Sequence, residues 1–310
     1  MRRGALFWVV AALALAALPL IASAFGQPFY IDLVRRMMIL AIAATSLNLI
    51  LGYGGMVSFG HAAYLGLGAY SVGILAFYGI TSGWAQWPVA IGASALAALA
   101  IGAVSIRTSG IYFIMITLAF TQMLYYLGIS LEVFGGDDGM RLRSRSQFSG
   151  LIDLGNAVRF YYLCLALMLL TIYVTYRIVN SRFGMVIRAA KSNEARSRAI
   201  GFSPYRYRLT AFVIAGAICG LAGALYANHT NYITPGLASW VQSGDLMFMV
   251  ILGGMASTAG PMIGAFALLI AEEILKGWTE HWQVILGPLL VLSVIFFKRG
   301  LAGIFERPHA

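Results

Sequence analysis

Charge is what this sequence has least of. Lys, Arg, Asp and Glu make up 10% of its 310 residues, where a soluble domain carries roughly 25%. A chain so poor in charge cannot clothe a water-facing surface, and its 60% hydrophobic content identifies an integral membrane protein. The alternating strands of ~10 residues that a membrane β-barrel needs are missing as well. Cysteine is scarce: Cys164 and Cys219 both lie inside apolar segments and imply neither a disulfide framework nor a metal site. His61, His229, His281 and His309 have no neighbours that would complete a zinc motif or a nucleophile–base pair, so the residues point to no enzyme and no bound metal. Carboxylates within apolar segments would mark ion coupling. Only Glu272 and Glu273 come close, and they sit at a segment end beside Lys276, an interfacial placement. That weighs against an ion-coupled secondary transporter. The sequon at Asn228-His229-Thr230 carries no message in such a setting.

What is present is a series of apolar segments, near 5–24, 34–51, 56–79, 87–106, 111–130, 158–178, 209–229, 245–252, 260–275 and 284–297. The expected fold is an all-α polytopic membrane protein, a single transmembrane domain over 1–310 with about 8–10 transmembrane helices, broken or half helices included. Residues 1–33 supply a first span and an outer loop. Their basic start, apolar run and Ala-Ser-Ala also fit a signal peptide cleaved after Ala24, but the length of 5–24 suits a retained span. With the N-terminus inside, the outer connections hold Arg35, Arg36, Arg141, Arg143, Arg145, Arg159 and Lys276, seven of the 21 basic residues, and the inner ones hold the other 14. The positive-inside rule then puts both termini in the cytoplasm and reads the net charge of +10 as topology rather than nucleic-acid binding.

Two inner connections carry no charge, GYGG at 52–55 and GGMASTAG at 253–260. The apolar run 246–252 gives on the order of 10 Å of helix, too short to span. We expect a half-helix capped by Asp245 and ending in glycines within the membrane, where irregular backbone survives only if protein or a water-filled cavity covers it. Gly54-Gly55-Met56-Val57-Ser58 parallels Gly253-Gly254-Met255-Ala256-Ser257, the trace a parallel internal repeat would leave, though glycines serving close helix packing would look alike. The candidate substrate pathway is therefore Gly54, Gly55, Ser58, His61, Gly253, Gly254 and Ser257. Ser58 and His61 are spaced to share a helix face toward that pathway. For His61, a structural bond between helices and a contact with substrate are equally open.

The one long inner loop is 180–208. Phe183, Val186, Ile187 and Ala190 fall on one helical face. Asn193 can cap a second short helix beginning at Glu194, Glu194 and Arg198 are spaced for an i,i+4 pair, and Gly201 ends the helix before a Ser203-Pro204 start of the next. Locally this fits either a basic loop at anionic lipid headgroups or a docking element for a cytosolic partner.

The stretch NEARSRAIGFSPYRYRLTAFVIAGAICGLAGALYA (193–227) resembles the coupling loop and following span of branched-chain amino acid ABC importer permeases. GYGGMVSFGHAAYLGLGAY (52–70), GIYFIMITLAFTQMLYY (110–126), GGDDGM (135–140) and ILGGMASTAGPMIGA (251–265) are similar to that family in the same order, closest to its LivM type. The likeness covers most of 34–300. In one departure, six residues separate Glu194 from Gly201, one more than in the broader Glu-Ala-Ala…Gly consensus, and Arg196 replaces the second alanine. The resemblance implies a permease subunit in the bacterial inner membrane, paired with a second, LivH-like permease and fed by a periplasmic binding protein. Two ATPase subunits would dock at 180–208 through Glu194, Ala195, Arg198, Ala199 and Gly201. This chain has no Gly-x-x-x-x-Gly-Lys-Ser/Thr loop, so ATP and magnesium belong to those partners. The implied substrates are branched-chain amino acids, with urea, amides or aromatic acids as alternatives on the same fold.

Overall fold

The computed structural model of the chain describes residues 12–20, 26–148, 153–296 and 300–304. After a helical stretch α1 (residues 12–20), α2 (Pro28–Asn48) begins with its proline in the first turn, where the missing N–H costs nothing. It passes into a π-helical turn at Leu49–Tyr53. This continuous helix is 89% buried over its apolar window and forms the axis of the molecule, as expected of a helix that is apolar all round. Around it lie α3 (His61–Phe77), α4 (Gly83–Ser105), α5 (Ile111–Ser130), α6 (Ala157–Val179), α9 (Pro204–Thr230), α10 (Trp240–Gly253), α11 (Gly260–Trp278) and α12 (Trp282–Phe296). Among the described residues, five helices are long and apolar enough to cross a membrane: α2 with its π turn, α4, α5, α6 and α9. Two short helices, α7 (Arg182–Ser192) and α8 (Glu194–Ala199), make up the basic loop. We call the side they occupy the loop end.

Small residues let α3, α4 and α9 cross closely. A Cβ on Gly216 would collide with Ala98, and one on Gly68 with the backbone of Gly220, so the GAICG stretch is a packing seam. At the opposite end, β1 (Met140–Arg141) pairs antiparallel with β2 (Tyr232–Ile233), Met140 facing Ile233 and Arg141 facing Tyr232. Asn228, the acceptor of the sequon, is fully buried and accepts from the Ser146 amide at 2.8 Å.

Three expectations change. Asp245 does not cap a half-helix: α10 starts five residues earlier, where the Ser239 hydroxyl accepts from Gln242 N at 3.2 Å. The 14 residues of α10 extend ~21 Å, still short of a ~30 Å bilayer core. Arg35 is not a loop charge but lies in α2, 3% exposed. Its guanidinium donates to Asp32 and to His229 Nδ1 (2.9 Å) and stacks 4.8 Å over Phe160, which explains how a charge survives there. Ser58 does not share a helix face with His61, because α3 starts at His61 and Gly55–Gly60 are not helical. Tyr161 and Tyr162 donate to the Leu15 and Ala16 carbonyls of α1 at 2.7 and 3.0 Å. The candidate cleavage site at Ala24 lies outside the described residues.

Candidate translocation site and coupling face

Both uncharged connections are true breaks, and they are built alike. In each the second glycine has positive φ, +69° at Gly55 and +119° at Gly254. In each the next helix starts six residues later, at His61 and at Gly260. In each the aligned serine binds a glycine amide near that start: Ser58 Oγ accepts from Gly60 N, the residue before α3, and Ser257 Oγ from Gly260 N, the first residue of α11, both at 3.1 Å.

The breaks also meet. Asn48, the last residue of α2 and fully buried, donates through Nδ2 to the Ser257 carbonyl (2.8 Å) and accepts from Ala256 N at 3.1 Å. Its amide thus completes the backbone of the second break as a neighbouring strand would. Tyr53 adds a hydroxyl contact of 3.3 Å to Thr258. On the near side, Lys191 at the end of α7 donates Nζ to the Gly52 carbonyl at 2.7 Å, and its stem lies against Gly55. This occupies a carbonyl at the π turn, where the regular α ladder has ended.

Two cavities flank the breaks. The larger, about 590 Å³, lies between α6 and the second break and is lined by Tyr53, Tyr173, Tyr176, Arg188, Ser257 and Thr258 among others. The smaller, about 130 Å³, is lined by Gly54, Gly55, Thr108, Ser109 and Arg208. Of the pathway candidates, Gly54, Gly55 and Ser257 thus line open space. Gly253 and Gly254 are buried, the former against α11. Ser58 and His61 are fully buried and line neither cavity. His61 Nε2 is 2.7 Å from Ser46 Oγ, a bond between α2 and α3, and its ring meets Tyr64 edge-on at 5.7 Å. Asn48, Tyr53, Lys191 and Arg208 were missed. A lone amide in the oily run before GYGG was a usable signal for Asn48; the others reveal themselves only in three dimensions.

The loop follows its sequence closely. Val186, Ile187 and Ala190 are buried and Phe183 partly so, stacking on Tyr207 at 5.5 Å. Asn193 Oδ1 caps α8 by accepting from Arg196 N at 2.9 Å, and Gly201 turns the chain at φ +89°. Glu194 pairs with Arg198 as expected, and also with Arg208 at 2.7 Å, whose other nitrogen donates to the Ala190 carbonyl. Partial burial alone would raise the Glu194 carboxyl, but the two guanidiniums outweigh it and hold it below its ordinary value. Ala195, Arg198, Ala199 and Gly201 remain exposed, joined by Ile200 (65%) and Phe202 (41%). An apolar tip on a basic loop is a surface that nothing among the described residues covers.

A central buried helix, several further helices long and apolar enough to span a bilayer, and a structured basic loop beside two glycine breaks fit a multi-pass membrane permease. The sequence matches the family described as "Branched-chain amino acid transport system / permease component" over residues 29–294, and the chain belongs to that family. It is 29% identical, over 87% of its length and 69% of theirs, to the high-affinity branched-chain amino acid transport system permease proteins LivM of Salmonella typhimurium and Escherichia coli. It is also 25% identical to the Escherichia coli LivH permease protein, over 85% of this chain and 91% of that one. No solved structure matches.

Proposed function

We propose that the chain is one of two permease subunits of an ATP-driven importer that carries branched-chain amino acids across the bacterial inner membrane. In this reading the loop end faces the cytoplasm and docks ATP-hydrolysing subunits, a second permease completes the pathway, and a binding protein delivers substrate from outside. The chain itself does no chemistry. Resemblance to both LivM and LivH relatives supports a paired permease. The observation that carries the reading is the coupling face: an exposed Ala199-Ile200-Gly201-Phe202 tip on a loop braced by Glu194–Arg208, whose Lys191 reaches the carbonyl of Gly52 beside the first break.

The direct experiment is reconstitution in liposomes with the candidate second permease, ATPases and binding protein. Leucine uptake should require all of them. Uptake by this chain alone, driven by an ion gradient, would replace the reading with a secondary transporter. Orientation has its own check: a cysteine at exposed Ser192 should react with an impermeant thiol reagent from the cytoplasm, and one at exposed Gln147 from outside.

A further inference from the structure

Ala256 has φ +61°, a left-handed backbone conformation that a residue with a Cβ adopts only when its surroundings impose it. The group imposing it is visible. Ala256 N is fixed by Asn48 Oδ1, while the carbonyl of the next residue is held by Asn48 Nδ2. One side chain thus clamps both sides of the strained residue. The clamp sits directly on the first break: a Cβ at Gly52 would lie 2.5 Å from Ala256 N and would collide with Asn48 Oδ1. The carbonyl of that same Gly52 is the one Lys191 holds. Lys191 in turn ends α7, which packs on the loop beside α8, where the Ala190 carbonyl and Glu194 share Arg208.

We propose that Asn48 and Lys191 are positioning residues that hold the second break in its strained form and tie that form to the state of the basic loop. Pulling Lys191 away from Gly52 frees the π turn, shifts Gly52 against Asn48 and releases Ala256 to ordinary backbone angles. A strained residue clamped on both sides by one removable amide can switch between two discrete states, which is what a gate needs. The transport role of the clamp rests on the importer reading; the physical link from Lys191 to Ala256 does not.

Amide hydrogen exchange on the full chain in nanodiscs tests the link. Asn48→Ala should speed exchange of the Ala256 amide by about tenfold or more, the loss of one hydrogen bond. Lys191→Met, which keeps the stem and removes the ammonium, should speed the same amide about threefold although it touches neither partner, and Lys191→Arg should restore slow exchange. Ala256→Gly removes the conformational penalty, so in that background Lys191→Met should change exchange by less than about 1.5-fold. This pair serves if Asn48→Ala fails to fold. In the reconstituted transporter, Lys191→Met should leave the ATPases bound but lower leucine moved per ATP about fivefold, whereas a merely structural defect would lower both activities together. Unchanged Ala256 exchange in Lys191→Met overturns the proposal. Failure of the unmodified chain to recruit ATPases would instead overturn the importer reading and leave the exchange result to decide the link.

Discussion

At the end of the bundle remote from the basic loop, Arg145 alone reaches three acceptors, Asn231 Oδ1 and the carbonyls of Leu154 and Gly155. Beside it the β1–β2 ladder, the Ser146–Asn228 bond and the Arg35–Asp32–His229 cluster tie the same segments again. At the loop end, by contrast, the side-chain contacts to the breaks among the described residues are dispersed, from Asn48 and Tyr53 onto the second break and from Lys191 onto the first, with no strand ladder beside them. A ladder with cross-links beside it holds one arrangement; dispersed side-chain bonds yield more readily to a second. A permease needs one end that keeps its shape while the other rearranges, and the distribution of polar contacts alone says which is which.

That contrast can be broken by substitution. Ala199→Asp should have the largest effect: a charge buried unpaired in the docking seat costs ~3–5 kcal/mol, so ATPase co-purification should be lost while the chain's own melting temperature stays put. Retained docking would make the loop a lipid-facing surface. Next comes Gly254→Leu, which adds bulk and forces a side chain onto φ +119°, a packing penalty of ~1–3 kcal/mol plus strain of similar size. Uptake should fall at least tenfold at normal expression. At the opposite end, Arg35→Met should cost only ~1–2 kcal/mol of thermal stability, a charge-assisted bond partly offset by removing a buried charge, with leucine moved per ATP unchanged. A coupling defect there would erase the distinction between the ends. Glu194 gives a smaller effect with a definite sign. Its carboxyl is held below its ordinary value, so its contribution is complete above that value and is lost as pH falls through the lowered one. ATPase binding should therefore be flat around neutrality and fail only on acidification past the usual carboxylate range. Arg196→Ala, at an exposed charge with no side-chain partner among the described residues, should stay within ~0.5 kcal/mol in docking assays.

Features decided by neighbours in the chain were legible beforehand. The buried face of α7, the Asn193 cap, the Glu194–Arg198 pair and the positive φ of Gly201 each depend on residues within one or two turns. The breaks were legible too, because glycines without charge in an inner connection have few other uses. Their completion was not. Asn48 finds Ser257 across 209 residues and Lys191 finds Gly52 across 139, and no local periodicity encodes such a meeting. The start of α10 was misplaced for a different reason. Ser239 and Asp245 are both good cap residues, and choosing the one at the edge of the apolar run ignored that Trp240–Gly244 pack as helix despite their mixed polarity. His61 shows the limit of reading a titratable residue as functional: its bond to Ser46 joins two helices rather than facing a cavity.

The glycine seam where α3 crosses α9 has a mechanical meaning. Gly220 sits 16 residues beyond Pro204, so the loop-end arm of α9 measures ~24 Å from that fulcrum. A tilt of about 5° there carries the arm's tip ~2 Å sideways by the same geometry. Because Arg208 grips both Glu194 and the Ala190 carbonyl, α7 and α8 ride on that tip. Two ångströms is wide enough to part a single ammonium from a carbonyl, yet leaves a ladder anchored on the far side of the pivot undisturbed.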